Sequence, residues 1–470
     1  MIHMELSAEE FGPIKKGKIQ VKPITVIIGR NCVGKSYLAE LLYTMLTLRT
    51  RELYEEPLSL AFAFRILKPK DFERVIEEIA PVSSEQEIIR KLIDIILEKY
   101  RQYLERSLKT RLESTFGMEI DDLIRFDASK AMISFVVSTV FSIEITLMRK
   151  NHVSLNLEVD KEKIINEVLR TRGRITTKAL LRIRQLKRPS SKVTPLMDIL
   201  IIIGETLFKL MITGEKPSSV YYIPAGRAGL LESYNTVQSA LLSLSPVAPI
   251  RGISMPPIPG PASHFYNVFL QLRGQKGPFH SVAKEFEEML GGEILIKPLG
   301  TPKGKTVITY SFKCGDETSS IDIIHAASMV KELAPLYLII KEVVRKGDFL
   351  IIEEPESHLH PGAQLQFMEV ISLLVNKGIR VLITTHSDIV LRKLAQLTGV
   401  YRASKGEDRT GLNPEDLAVY LLKDSTEGSV SEPLIITGYG SFEEMPTFDE
   451  VIKELYEKEI SLQSTLQMTE

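Results

Sequence analysis

The chain has 470 residues, enough to bury a substantial core and to form either about two or three average domains or one large α/β domain carrying an insertion. Its 59 lysines and arginines balance 60 acidic residues, for a formal net charge of −1, so no global field recruits nucleic acid or an anionic membrane, and any such contact needs a local patch. The cysteines, Cys32 and Cys314, lack CxxC spacing, which argues against a disulfide framework or cysteine zinc site and fits a reducing compartment; a cytoplasmic location is expected.

The N-terminus, MIHMELSAEEF, has acidic residues where a secretory signal needs a basic start and an apolar stretch, so no targeting segment is read there. Short strands follow in IQVKP and in ITVIIG from Ile24 to Gly29, then a helix from about Lys35. Between about residues 55 and 215 apolar residues recur at spacings of three and four through DFERVIEEIA and QEIIRKLIDIILEKYRQYLERSLKTRL, predicting amphipathic helices. Alternation in MISFVVSTVFSIEITL and VSLNLEV predicts a strand pair turning near Lys150 to His152. The run PLMDILIIIGETLFKLMI from Pro195 approaches membrane-spanning length, but Asp198, Glu205 and Lys209 are costly in hydrocarbon, so a buried helix is expected and no membrane association.

SVYYIPAG, ending at Gly226, reads as a strand returning to the main sheet, and the proline-rich residues 246–262 as a stiff surface loop. The last third alternates: strand SFKCG, a helix from about Ile323 to Arg345, strand DFLIIEE, a helix from about Ala363 to Asn376, and strand RVLITTH. Such βαβ alternation predicts a parallel sheet covered by helices. AVYLLK and EPLIITGYG read as further strands, followed by an acidic helix from Thr447 to about Ile460.

Gly29-Arg30-Asn31-Cys32-Val33-Gly34-Lys35-Ser36 satisfies G-x-x-x-x-G-K-[ST], directly after an apolar strand and before a helix. Its glycines let successive backbone N–H groups and the helix N-terminus face phosphates. Lys35 is expected to reach the β- and γ-phosphates and the Ser36 hydroxyl to take a Mg²⁺ position; Tyr37 completes the cofactor-binding set. Phe349 to Glu356 supplies the apolar strand ending in carboxylates that such a site needs. There Glu353 is expected to hold Mg²⁺ and Glu354 to polarise the attacking water. His386 closes another apolar strand, at the edge where open parallel sheets bind ligands. His358 and His360 are read as a loop at a subunit contact rather than as metal ligands. Arg227 ends the YYIPAGR stretch, where an ATP phosphate, a neighbouring subunit or a surface ion pair are all open to it.

Together FGPIKKGKIQVKPITVIIGRNCVGKS, DFLIIEEPESHLHP, VLITTHSD and their spacing resemble the ATP-binding-cassette-type ATPases of the SMC, RecF and OLD (overcoming lysogenization defect) group, and the EEPExHLHP form is especially similar to OLD-like ATPases. The resemblance covers about residues 1–45 and 218–400. It implies that Gly29 to Ser36 form the Walker A loop, Glu353 the Walker B acid, Glu354 the catalytic glutamate, His386 the switch histidine and Ser357 to His360 the D-loop. It also implies two ATPs sandwiched between the heads of a homodimer, each closed by a signature serine, for which Ser328 fits, although Met329 stands where the family usually has glycine. Cys32 likewise occupies a position that is glycine in many relatives, and Gln271 is a loose match to the Q-loop glutamine. No Toprim nuclease is expected in the residues after His386.

The expected fold class is therefore α/β: a P-loop NTPase ABC-type head with mixed sheets and a largely helical insertion. The head is expected to be discontinuous, over residues 1–50 and 216–412, with 51–215 as the insertion and 413–470 as an extension completing it. The cofactors called are ATP and Mg²⁺, and the activity is hydrolysis of ATP to ADP and phosphate. One clear basic stretch, residues 169–192, holds nine lysines and arginines and no acid. It fits DNA or RNA phosphates as well as an acidic protein effector or a solvated face. Two readings thus stand: an ATPase acting on nucleic acid in repair or defence against mobile elements, and an ATP-driven switch recruiting a separate effector.

Overall fold

The structure is a computed structural model that describes residues 4–54, 75–79, 81–82, 84–185, 189–212, 217, 219–244, 260–298, 306–436, 442 and 453–462. In chain order its strands are β1 (Met4–Phe11), β2 (Ile14–Val21), β3 (Ile24–Gly29), β4 (Lys130–Ser138), β5 (Phe141–Met148), β6 (His152–Val159), β7 (Val220–Ile223), β8 (Gly292–Pro298), β9 (Thr306–Cys314), β10 (Glu317–Asp322), β11 (Phe349–Glu353), β12 (Arg380–Thr385), β13 (Leu417–Lys423) and β14 (Ser429–Leu434). The longer helices are α1 (Lys35–Tyr54), α2 (Glu85–Phe116), α3 (Lys161–Gln185), α4 (Pro189–Ile212), α5 (Arg227–Leu244), α6 (Gly260–Phe269), α7 (His280–Leu290), α8 (Ser328–Glu342), α9 (Pro361–Asn376) and α10 (Asp388–Ala403).

The chain divides into two compact units, one of Met1–Val21 with Glu40–Ser219 and one of Lys22–Ala39 with Val220–Glu470, a division that cuts the first 50 residues twice. In the first unit β1 pairs antiparallel with β2 and β4, and β4–β5–β6 continue as a meander. The sequence reading expected a strand pair here; three strands form instead. The long alternating run breaks at Thr139 and Val140, where Ser138 pairs with Phe141 across a two-residue turn, and a run of uniform alternation carries no signal for such a reversal. α2 buries Ile89, Leu92, Ile93, Leu104, Leu108 and Leu112, a stripe at helical spacing, and packs on β6 and α3. α4 is the helix expected from the apolar run, burying Leu196, Ile199 and Ile203, and no helix among the described residues is long and apolar enough to cross a membrane.

The second unit is built on parallel pairing. β3 lies between β12 and β13, β12 pairs with β11, and β11 with β7, all parallel; β14 then pairs antiparallel with β13. Every residue of β3 and β11 is buried, as expected of strands covered on both faces. The core under α7, α8 and α9 centres on aromatic side chains: Phe286 meets Tyr337 edge-on at 6.5 Å and Phe367 at 6.0 Å between ring centroids. A separate antiparallel sheet orders β8, β9 and β10.

Several sequence boundaries move. α8 starts at Ser328 rather than near Ile323, because Asp322 accepts from the Ile324 N–H and caps a 3₁₀ turn over Ile323–His325. The last strand is Ser429–Leu434, earlier than the EPLIITGYG expectation, of which residues 437–440 lie outside the described residues. Of the proline-rich loop, residues 246–259 lie outside the described residues and 260–262 open α6. Within 169–192 the backbone is helical in α3 and α4, residues 186–188 lie outside the described residues, and so do most of the basic side chains. Of the expected terminal helix from Thr447 to about Ile460, residues 447–452 lie outside the described residues and the rest is helical, continuing to residue 462.

Phe286 is fully buried among those rings, so Phe286→Ala is expected to cost about 3–5 kcal/mol. Chemical denaturation followed by near-ultraviolet circular dichroism would show this as an earlier midpoint.

Candidate active site

Four chain segments supply the expected site residues, and all lie in the second unit. β3 delivers the loop at Gly29, and Gly29 itself is sterically required. A Cβ there would stand 2.5 Å from the Leu422 carbonyl oxygen of β13. Gly34 has φ 95 and Cys32 φ 64, so the loop turns twice through left-handed backbone, once without glycine. Cys32 is exposed and unbonded to Cys314. Arg30, Asn31 and Ser36 are exposed and Tyr37 half-buried, whereas Val33, Gly34 and Lys35 are buried. Lys35 opens α1 and its Nζ donates to the carbonyl oxygens of Gly29 at 2.9 Å and Arg30 at 2.7 Å, across the loop it belongs to. Burial lowers its pKa, while Glu354, Glu356, Cys32 and Glu353 act in the opposite direction.

Those carboxylates come from the end of β11. Glu353 is buried; its Oε2 accepts from the Ala225 N–H at 3.3 Å, and its Oε1 is buried without a well-formed hydrogen bond. Burial raises its pKa, with the hydroxyls of Ser36 and Tyr222 and the Ala225 N–H favouring the ionised form. A buried carboxylate oxygen without a well-formed hydrogen bond, beside a serine hydroxyl, is a hard, all-oxygen donor set of the kind Mg²⁺ takes, so the residues present fit that ion.

Glu354 turns out of the strand with φ 41, a conformation few non-glycine residues adopt, and its N–H donates to the Thr384 carbonyl of β12 at 2.8 Å. Its partly exposed carboxylate lies 3.8 Å from Nδ1 of His386, the residue that follows β12. Parallel registration of Glu353 with Thr384 brings these two strand ends side by side.

Glu356 joins the candidate site, and sequence reasoning missed it. Its buried Oε1 accepts from the Thr385 Oγ1 hydroxyl at 2.7 Å and the His386 N–H at 2.8 Å, and it lies 3.5 Å from His386 Nδ1. The EEPE string offered it as a third carboxylate; only its long-range hydrogen bonds separate it from a loop residue. Arg227 forms no surface ion pair; its ion pair, with Glu332 at 3.1 Å, is buried. It is almost completely buried and donates to the backbone carbonyls of Glu332, Glu353, Glu354 and Pro355. Sequence carried no sign of this, because a strand-end arginine looks the same whether it faces solvent or a buried turn.

The remaining residues make no side-chain hydrogen bond to this cluster among the described residues. Ser328 is the exposed first residue of α8 and makes no hydrogen bond to the Gly29–Ser36 loop among the described residues, while Met329 packs against the core. His360 caps α9, its Nδ1 accepting from the Gly362 N–H at 3.2 Å, and His358 is exposed with φ 57. Gln271 is exposed in the turn after α6, next to the Arg273 and Gly274 N–H groups that the Glu342 carboxylate accepts.

A family model described as "AAA domain, putative AbiEii toxin, Type IV TA system" matches residues 129–392, a span that takes in Glu353, Glu354 and His386 and begins after the Gly29–Ser36 loop. No curated protein matches. Similar solved structures include an SMC head bound to the C-winged helix domain of ScpA, with 12% identity and a TM-score of 0.39 over 92% of this chain and 96% of that one. The SMC head domain from Thermotoga maritima is 10% identical, TM-score 0.38, over 93% of this chain and 100% of that one. The Smc head with an extended coiled coil, bound to the C-terminal domain of ScpA derived from Pyrococcus furiosus, is 14% identical, TM-score 0.38, over 98% and 100%. These are distant likenesses.

Replacing Glu356 by alanine leaves the Thr385 hydroxyl and the His386 N–H without their acceptor, at an expected cost of about 1–3 kcal/mol. Thermal melts should show Glu356→Ala well below wild type and Glu356→Gln, which keeps one acceptor oxygen, between the two.

Proposed function

This chain belongs to the AAA-domain family whose model it matches, and on that premise we propose that it is a P-loop ATPase hydrolysing ATP to ADP and phosphate. The observation that carries the proposal is the gathering of Glu353, Glu354 and His386 at adjacent parallel strand ends, with the electrostatics of Lys35 coupled to both carboxylates. Lys35 would exchange its present loop carbonyls for the β- and γ-phosphates, which offer it stronger, charge-assisted partners. Ser36 and Glu353 would hold Mg²⁺, which would supply charge neutralisation at the phosphates. Glu354 would orient and polarise the attacking water, and His386, within reach of Glu354, would fix the far side of that arrangement. Exposure of Ser328 at the start of a helix is compatible with its meeting a nucleotide held by a second copy.

The finer proposal is that nucleotide-driven pairing of two such heads acts on DNA or RNA, gripped through the basic residues 169–192. With a balanced net charge any such affinity needs a local basic patch, which that stretch offers, and binding there should weaken steeply with salt. The competing reading, a switch that recruits a separate protein effector, needs no nucleic acid.

Steady-state turnover of wild type, Lys35→Ala and Glu354→Gln, with and without single- and double-stranded DNA, tests both levels. Glu354→Gln should retain ATP binding and lose about 10²–10⁴-fold in kcat, while Lys35→Ala should lose nucleotide binding. Wild-type turnover that survives Glu354→Gln intact would sink the assigned role. Light scattering that shows a Glu354→Gln dimer only with ATP, together with DNA-stimulated turnover in wild type, would support the nucleic-acid reading. Turnover indifferent to DNA at low salt would overturn it in favour of the effector switch.

A further inference from the structure

Arg227 is the largest of the fully buried side chains, 2% exposed, yet no step of the ATPase reading calls on it. A guanidinium taken out of water is unfavourable unless nearly all its donors are met. Here they are met by one turn of chain. Nη1 donates to the Glu353 carbonyl at 2.8 Å, both terminal nitrogens reach the Glu354 carbonyl at 3.4 Å, and Nη2 reaches that of Pro355 at 3.4 Å. On the opposite side Nε donates to the Glu332 carbonyl at 2.9 Å and lies 3.1 Å from the Glu332 carboxylate, itself buried. Three consecutive carbonyls of the carboxylate turn are thus tied to the second turn of α8.

The turn they belong to holds Glu354 at φ 41. A non-glycine residue stays in that region only when its surroundings over-determine it. Three restraints act on its peptide groups: the Glu354 N–H donates to the Thr384 carbonyl, and its own carbonyl accepts from the Ser357 N–H at 3.1 Å, within the same turn, and from Arg227. Loss of the Arg227 bonds would leave that carbonyl only the local Ser357 bond, which moves with the turn, so the backbone could relax toward ordinary extended φ and swing the carboxylate away from His386.

We propose that Arg227, itself fixed by Glu332, is a positioning residue that holds the Glu353–Pro355 turn in its left-handed form and so aims the Glu354 carboxylate at the hydrolytic centre. The inference rests on the ATPase reading of Glu354. It also makes α8, which opens at the exposed Ser328, mechanically continuous with the hydrolytic carboxylate: displacement of the helix start is passed through Glu332 and Arg227 to Glu354. A lysine at position 227 would keep the charge, but its single ammonium cannot span three carbonyls and Glu332 at once.

The test compares wild type with Arg227→Lys, Glu332→Gln, Glu354→Gln and the Arg227→Lys/Glu354→Gln double variant. Readouts are kcat, KM for ATP, binding of a fluorescent ATP analogue and thermal melting. Arg227→Lys should bind the analogue as wild type does, keep its KM and lose roughly 10- to 100-fold in kcat, the scale of loss from a 1 Å misplacement of a reacting group. The double variant should be no slower than Glu354→Gln alone, because both changes act through one carboxylate. A folded Arg227→Lys with wild-type kcat, or losses that multiply in the double variant, would overturn the proposal. Should Arg227→Lys fail to fold, Glu332→Gln decides: a several-fold loss of kcat at unchanged KM supports positioning, and unchanged kcat overturns it. Wild type without turnover would sink the ATPase reading and this inference with it, an outcome separable from failure of the variants alone.

Discussion

Strand β3 has neighbours on both edges and is buried along its whole length, so each of its backbone N–H and C=O groups depends on parallel registration with β12 on one side and β13 on the other. An unpaired peptide group at that depth costs as much as a lost hydrogen bond, which makes any slip of either neighbour expensive. The phosphate-loop pattern begins at the last residue of β3, and His386 follows the last residue of β12. Their mutual position is therefore set by the ladder rather than by the loops. The same ladder carries over to β11, whose Glu353 stands level with Thr384.

A second constraint is electrostatic. Glu353, Glu354 and Glu356 are three carboxylates within four residues, two of them buried, and like charges so placed repel unless cations lie among them. Lys35 and Arg227 supply those cations, each with its pKa lowered by burial and supported by the same three carboxylates. The arrangement is mutually dependent: neither set is tolerable in the interior without the other. Such density of buried charge is a poor way to stabilise a fold. It is a good way to hold groups whose charge is used, in keeping with the proposed hydrolytic role.

Much of this site was legible in sequence because its pieces are punctuated. A glycine pattern between strand and helix, paired glutamates after FLII and a histidine after VLITT each announce a strand end, and strand ends on one parallel sheet lie near one another. Glu356, Glu332 and the buried state of Arg227 were not legible, since each is defined by partners between 29 and 128 residues away. Periodicity found α2 and α4 but missed the turn at Thr139 and Val140, because a β-branched pair inside an alternating run looks like more strand. The start of α8 moved for a related reason: one aspartate, Asp322, diverts the chain into a 3₁₀ turn that hydrophobic spacing does not register.

The contact between Gly29 and the carbonyl of Leu422 also sets a schedule. The phosphate loop is made long before the strands that flank β3: β12 follows about three hundred and fifty residues later and β13 almost four hundred. At about 5–20 residues per second of synthesis, that interval is on the order of half a minute. During it the growing chain carries a finished nucleotide motif on an unfinished scaffold, with both apolar edges of β3 open until β12 arrives and one open until β13 does. Emergence of β13 then closes the remaining edge and makes the site rigid in the same event, so a chain released before it would be both unable to hold its ligand firmly and prone to pair with its neighbours.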